Sequence, residues 1–320
     1  MKTFVQFLKD WTLPVSIGLG AAIYFLFYGI EFLHPAGGFF EPVFNELLPW
    51  LMFFVLFVTF CKVDFKQMRL CWWHLWVLVS QVALVLIIMY VLLFSAGQQS
   101  DKILWEGILA CVICPTASAA TVVTVKLGGN LVAMTTYTFM SNFMSALMIP
   151  LFFSMIGQHA DIAFLDAFFL ILKRVVVVLV APLFMGWLVR HHFKRVQEKI
   201  VSIKGLGFYL WGVSLMIVTG ITMDNIVHSD ASFSTLSVIA ISSLAVCLLQ
   251  FAVGKYIGRF FKSTIDAGQA LGQKNTSFAI WVACLYLHPL ATVAPGCYIL
   301  WQNIVNSWEL WDVRRKATRR

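Results

Sequence analysis

The strongest constraint on this chain is the recurrence of apolar runs about as long as a bilayer is thick. A helix rises 1.5 Å per residue, so crossing a hydrocarbon core of roughly 30 Å takes about 20 apolar residues. Such runs fall near 13–33, 43–61, 72–94, 103–125, 131–156, 172–190, 206–223, 233–254, 267–287 and 292–311. Short stretches punctuate them: His34-Pro35-Ala36-Gly37-Gly38, Lys62 to Arg69, Ser95 to Lys102, Gly128-Gly129-Asn130, Gly157 to Asp161, His191 to Lys204, Asp224 to Asp230, Lys255 to Thr264 and His288-Pro289. With 12% of its residues charged and 60% apolar, the chain has too little charge to coat a soluble globule. No stretch is long or polar enough to form a separate soluble domain. Met1 to Asp10 is weakly amphipathic and lacks a small-residue cleavage site, so it does not read as a removable signal peptide. The expectation is an all-α membrane protein of ten transmembrane helices.

Positive charge sets the expected orientation. With the N-terminus inside, alternate connections carry Lys62, Lys66 and Arg69, then Lys126, then Arg190, Lys194, Arg195, Lys199 and Lys204, then Lys255, Arg259 and Lys262, and finally Arg314 to Arg320. The opposite set carries only Lys102, Lys173 and Arg174. That asymmetry predicts both termini in the cytoplasm of a cell whose inner (plasma) membrane holds the protein. It also accounts for the net charge of +8 as topology and attraction to anionic lipid, with no nucleic acid among the partners. Trp72, Trp73, Trp105, Trp308 and Trp311 fall near span ends, where interfacial anchors sit.

Two spans are too polar for their length. The fourth reads Cys114-Pro115-Thr116-Ala117-Ser118-Ala119-Ala120-Thr121-Val122-Val123-Thr124. Its proline removes a backbone donor and frees a carbonyl that hydrocarbon cannot satisfy. A plainer alternative is a kinked helix packed through small residues. The ninth span opens as Asp266-Ala267-Gly268-Gln269-Ala270-Leu271-Gly272-Gln273-Lys274-Asn275-Thr276-Ser277. A Lys at membrane depth costs about 3 kcal/mol on insertion scales and normally faces a polar cavity. Reading that stretch as a loop instead leaves only some 12 residues before His288-Pro289, too few to span. The seven cysteines, Cys61, Cys71, Cys111, Cys114, Cys247, Cys284 and Cys297, lie in or at the edges of apolar spans and read as small buried hydrophobes. Cys111 and Cys114 have CxxC spacing, but without a second pair or histidines they make a weak metal or redox signal.

The polar spans are fourth and ninth, so each is fourth in a group of five. Five is odd, so two such groups run through the membrane in opposite senses. That is the inverted-repeat plan of many secondary transporters, whose broken helices meet near the midplane. The expected repeats are 1–157 and 158–320, with discontinuous helices 4 and 9 crossing.

The residues at these two spans resemble the bile acid:sodium symporter family. Its fourth span carries a pattern like C-P-G-G-T-A-S-N-V-x-T followed by K-G-D, and its ninth one like E-V-G-x-Q-N-S-G-L-A, then P-L-A and W-x-N. Cys114-Pro115 through Thr124, Gly129-Asn130, Asn275-Thr276-Ser277-Phe278-Ala279, Pro289-Leu290-Ala291 and Trp301-Gln302-Asn303 follow these patterns. Phe57 to Lys66 and Gln81 also look like the family. The resemblance covers nearly the whole chain. It implies a panel of spans 1, 2, 6 and 7 and a core of spans 3–5 and 8–10, with spans 4 and 9 unwound where they cross. It also implies a secondary active transporter of a small organic anion, such as a bile acid, steroid sulfate or keto acid.

The departures matter as much as the matches. On this alignment the family's sodium-binding Ser and Asn fall on Ala120 and Thr121, and its Glu and Gln fall on Ala270 and Lys274. A register one residue away puts Gln273 on the Gln and Gln269 on the Glu. Sodium wants oxygen ligands with some negative charge, whereas an ammonium has no acceptor and repels the ion. The hypothesis is that the Lys274 ammonium takes the place of one sodium ion, making transport sodium-independent or proton-linked; no metal site is assigned firmly. The candidate substrate- and ion-binding residues are Gln81, Thr116, Ser118, Thr121, Thr124, Thr138, Gln273, Lys274, Asn275, Thr276 and Ser277. No cofactor is expected beyond Na+ or H+ as coupling ion, and the partners are the anion and membrane lipids.

Other classes fit less well. An intramembrane enzyme would need paired aspartates, a Ser with a His, or H-E-x-x-H at membrane depth, and none occurs. The histidines read as span-end or loop residues with solvated or interfacial roles. A sodium/proton antiporter-like exchanger of the same fold would want paired carboxylates at the crossing, where Asp266 alone is legible. A non-transporting membrane sensor would usually add a soluble domain. The arsenite permeases place a reactive Cys after the proline of span four, whereas here Thr116 follows Pro115.

Overall fold

The structure is a computed structural model that describes residues 12–94, 97, 99–156, 163–203, 205–229 and 231–318. The expectations for Met1 to Asp10 and for Arg319 and Arg320 lie outside these residues. All regular structure among the described residues is helical: α1 (Thr12–Gly29), α2 (His34–Lys62), α3 (Trp72–Phe94), α4 (Gln99–Ile113), α5 (Ser118–Lys126), α6 (Leu131–Ile156), α7 (Phe164–Leu179), α8 (Ala181–His192), α9 (Lys194–Ser202), α10 (Leu206–Val227), α11 (Phe233–Phe260), α12 (Thr264–Gly272), α13 (Thr276–Tyr286) and α14 (Val293–Thr318). Short 3-10 turns at Glu31–Leu33, Phe65–Gln67 and Pro289–Thr292 link some of them.

Six described segments are long and apolar enough to cross a bilayer: Pro42–Lys62, Trp72–Phe94, Leu131–Ile156, Phe164–His192, Tyr209–Val227 and Phe233–Phe260. A bent pair, Pro14–Gly29 and Glu31–Phe40, makes a seventh if it counts as one span. The protein is therefore a multi-pass membrane protein. Its helix surfaces agree with a lipid solvent: on α3, Val77 and Val85 are fully buried while Ile87 and Tyr90 are 60% and 63% exposed. A helix apolar on both its packed and its open face suits hydrocarbon on the open side.

Several expected boundaries move, each for a local reason. His34 to Gly38 opens α2 instead of forming a connection; Pro35 occupies the first turn, where a missing N–H is free of cost. The sixth span starts earlier than expected and breaks at Val180, two residues before Pro182, whose ring excludes the preceding carbonyl. Lys255 and Arg259 belong to the last turns of α11, so polar helix formers carry that helix past its apolar stretch. The basic connection after His192 contains the short helix α9, whose Gln197 Nε2 donates to the Cys61 carbonyl at 3.1 Å. His74 is not an interfacial histidine: it is fully buried, packs against Trp73 and Tyr137, and its Nδ1 accepts the Cys71 N–H at 3.2 Å. Trp73 is buried with it, whereas Trp72, Trp308 and Trp311 are exposed as expected of anchors.

The chain divides into two compact units. One comprises Met1–Lys62 and Ala181–Asp230, the other Val63–Val180 and Ala231–Arg320. In the first, α1 and α2 pack against α10, and α2 also packs against α8. The second holds both polar spans. Its tightest packing sets the nine-residue α12 against α11, where Gly254 and Gly258, four apart on one face, leave no room for a Cβ against the backbone of Ser263 to Gly268. A nine-residue helix is marginal alone, so this close contact is what holds it. Replacing Gly258 by Leu should therefore destabilise the protein by about 1–3 kcal/mol. Thermal unfolding in detergent reads this directly, and an unchanged Tm would contradict the close packing.

Candidate functional site

The two polar stretches expected as the fourth and ninth spans are both broken, and both lie in the second unit. The residue before a proline is pushed out of the helical region, so α4 ends at Ile113, one residue short of Cys114-Pro115. Thr116 and Ala117 continue extended, and α5 begins at Ser118. In the ninth span, α12 stops at Gly272, Gln273 is extended, and α13 begins at Thr276 with the Asn275 Oδ1 accepting the Phe278 N–H at 3.3 Å.

The two breaks satisfy one another. Ala117 N–H donates to the Gln273 carbonyl at 2.9 Å, and Asn275 N–H donates to the Pro115 carbonyl at 2.8 Å. Thr116 and Lys274 thus face each other in an isolated antiparallel bridge, a β-contact inside an all-helical protein. Each bridging residue also donates its own N–H sideways: Thr116 to Ser141 Oγ at 3.0 Å, and Lys274 to Gln302 Oε1 at 2.9 Å. The Thr116 hydroxyl reaches across to the Ala270 carbonyl at 2.6 Å. The carbonyls at the end of α4 are met by Gln81 Nε2, which lies 3.0, 3.3 and 3.2 Å from those of Val112, Ile113 and Cys114, and by Ser145 Oγ, 2.7 Å from that of Ile113. At the end of α12 the Tyr298 hydroxyl donates to the Gly272 carbonyl at 2.8 Å, and Gln250 Nε2 donates to that hydroxyl.

Lys274 stands apart from this web of neutral contacts. It is 1% exposed, and its Nζ has no hydrogen-bond acceptor and no carboxylate partner among the described residues. Its electrostatic neighbours are the thiols of Cys111 on α4 and of Cys114 just past the end of that helix. In the same unit the half-buried Glu309 is compensated: it pairs with Lys255 and accepts from Gln269 Nε2, which also donates to Asn306 Oδ1.

Of the residues singled out from sequence, Gln81, Thr116, Gln273, Lys274, Asn275 and Thr276 come together at the crossing; Thr276 Oγ1 is 3.5 Å from Gln302 Nε2. Ser118 and Ser277 lie in the first turns of α5 and α13, Ser277 buried and Ser118 partly open. Thr121 and Thr138 spend their hydroxyls within their own helices, on the carbonyls of Ser118 and Met134. Thr124 is buried, and its hydroxyl has no hydrogen-bond partner among the described residues. Ser141, Ser145, Gln250, Tyr298 and Gln302 were missed. Ser141 and Ser145 form an i,i+4 polar stripe in a spanning segment, and Gln250 is an isolated amide among apolar residues, so each left a signal.

Leucine in place of Gln81 would leave the end of α4 with fewer donors, at a cost of roughly 1–3 kcal/mol for buried groups left unpaired. A matching drop in detergent Tm is expected, and no drop would show that these carbonyls have other donors.

The family model described as "Sodium Bile acid symporter family" matches residues 49–229. A search of the curated proteins finds no match.

Proposed function

This chain belongs to the sodium bile acid symporter family, and from that premise we propose a secondary active transporter of a small organic anion whose coupling does not use sodium at the Lys274 position. The single observation that carries the reading is the Lys274 side chain, buried beside the bridge with no hydrogen-bond acceptor for its Nζ among the described residues.

The electrostatics of the crossing explain why a cation belongs there. Each half-helix C-terminus carries about −0.5 of an elementary charge and each N-terminus about +0.5. The C-termini of α4 and α12 both end at the bridge, so they sum to about −1. One ammonium balances that. The N-termini of α5 and α13 are then left to attract an anion, together with the partly exposed Ser118 and Asn275. Lys274 acts here through its field, because neutral donors already make the direct bonds to the carbonyls.

The ten-helix inverted repeat belongs to the same proposal. Thr116 and Lys274 are 158 positions apart (274 minus 116). At the same offset Ser118, which opens α5, falls on Thr276, which opens α13, and Leu131, which opens α6, falls on Pro289. Two sequences without visible identity thus break, restart and turn in step. In this reading spans 1, 2, 6 and 7 form the panel, both termini are cytoplasmic, and the broken helices cross within the core.

Initial uptake of a labelled steroid sulfate or bile acid into proteoliposomes should change less than about twofold when an inward sodium gradient is imposed. Lys274→Gln should lower uptake by about tenfold or more, equivalent to at least ~1.4 kcal/mol. Strong sodium stimulation of the wild type would end the proposal. In parallel, a thermal-shift screen of carboxylates and sulfonates should stabilise the wild type and not Lys274→Ala; stabilisation by neutral or cationic solutes alone would reject an anionic substrate.

A further inference from the structure

Two more hydrogen bonds join the broken spans, at the ends away from the bridge. Glu106 on α4 accepts the His288 N–H at its Oε2, 2.9 Å away. Asp266 on α12 accepts the Asn130 N–H at its Oδ1, 2.6 Å away. Both carboxylates are more than nine-tenths buried, at 8% and 6% exposure. Each therefore sits in the first half of one broken span and holds the connection that follows the second half of the other.

The two receiving residues do the same job. Asn130 caps α6, its Oδ1 accepting the Ala133 N–H at 3.1 Å. His288 caps the turn leading into α14, its Nδ1 accepting the Leu290 N–H at 3.2 Å. They are 158 positions apart (288 minus 130), the offset of the bridge. In an ordinary capping box, an acidic residue three positions into the helix returns a bond to the cap residue's own N–H. Here that third position is Ala133 in one helix and Ala291 in the other, so neither can do so.

We propose that Glu106 and Asp266 are positioning residues that complete these two capping boxes from the opposite broken span, and so fix the outer ends of the crossing as the bridge fixes its centre. Both seams are closed by a glycine at the point of contact. A Cβ on Gly107, beside Glu106, would lie 2.9 Å from the Ala291 carbonyl oxygen and 2.8 Å from the Ala294 Cβ. A Cβ on Gly129, beside Asn130, would collide with Asp266 itself. A carboxylate at membrane depth is costly, and giving each one an N–H from the partner span makes the two spans depend on each other.

Hydrogen exchange of the full-length protein in lipid nanodiscs tests this without reference to transport. Glu106→Ala should speed exchange across residues 287–291 about tenfold or more while leaving 129–133 near wild type. Asp266→Ala should do the reverse. Glu106→Gln and Asp266→Asn keep an acceptor oxygen and should restore most of the protection; they also serve if the alanine variants fail to fold. Equal loosening of both segments by either alanine variant, or unchanged exchange at 287–291 in Glu106→Ala or at 129–133 in Asp266→Ala, would overturn the proposal, as would amide variants no better protected than alanine. In proteoliposomes the alanine variants should lower maximal uptake several-fold with KM within about twofold. If the wild type moves no anion at all, the transport reading fails while the exchange pattern still decides the caps.

Discussion

Backbone amides cannot be left bare in hydrocarbon, and the centre of this protein follows from how two helix breaks meet that demand. Each break ends one helix and starts another, freeing donors and acceptors that cost several kcal/mol apiece if unmet. The breaks supply one another through the pairs Ala117–Gln273 and Asn275–Pro115. Side chains from flanking helices meet further groups: Gln81 and Ser145 at α4, Tyr298 at α12, and Ser141 and Gln302 at the two bridging residues. Because each break is the other's partner, neither can shift without unpairing both. The second unit is thereby coupled through its middle by bonds, in addition to packing.

Charge is handled differently from hydrogen bonding. Glu309 is given Lys255 and Gln269, while Glu106 and Asp266 are each given a backbone N–H. Lys274 alone of this group is buried without an acceptor among the described residues. Among these four side chains the uncompensated one is the functional candidate, since stability alone favours replacing it. Its neighbours, the Cys111 and Cys114 thiols, are only weak hydrogen-bonding groups.

Much of this was legible in the sequence because it depends on local residue type. Pro115 with its hydroxyl run and Gly272-Gln273-Lys274-Asn275 announced both breaks, since no ordinary span carries such residues. Span ends were less legible: Lys255 and Arg259 looked like a connection, yet helix propensity carries α11 through them. The break in the sixth span before Pro182 was not read from the sequence, because the hydropathy runs on unbroken through it. His74 misled because position near a span start says nothing about which face it occupies, and that face is packed against Tyr137. The caps were out of reach for another reason. A lone Glu106 or Gln302 shows that a partner exists, but the partner lies 182 or 28 residues away, and only the crossing brings it near.

A tethered cation also changes what the site can do with energy. A sodium ion that balances two helix C-termini comes from one side and leaves on the other, so its gradient drives the cycle. Lys274 meets the same electrostatic requirement of about one charge, but it is covalently held and cannot leave. If it stands where an ion would bind, that position adds rigidity and sign while contributing no ion flux. The work of transport then comes from the substrate's own gradient or from a proton exchanged at the amine, the one mobile charge that Lys274 can carry. On the proposed reading, Lys274 is therefore the residue that sets which gradient the crossing answers to.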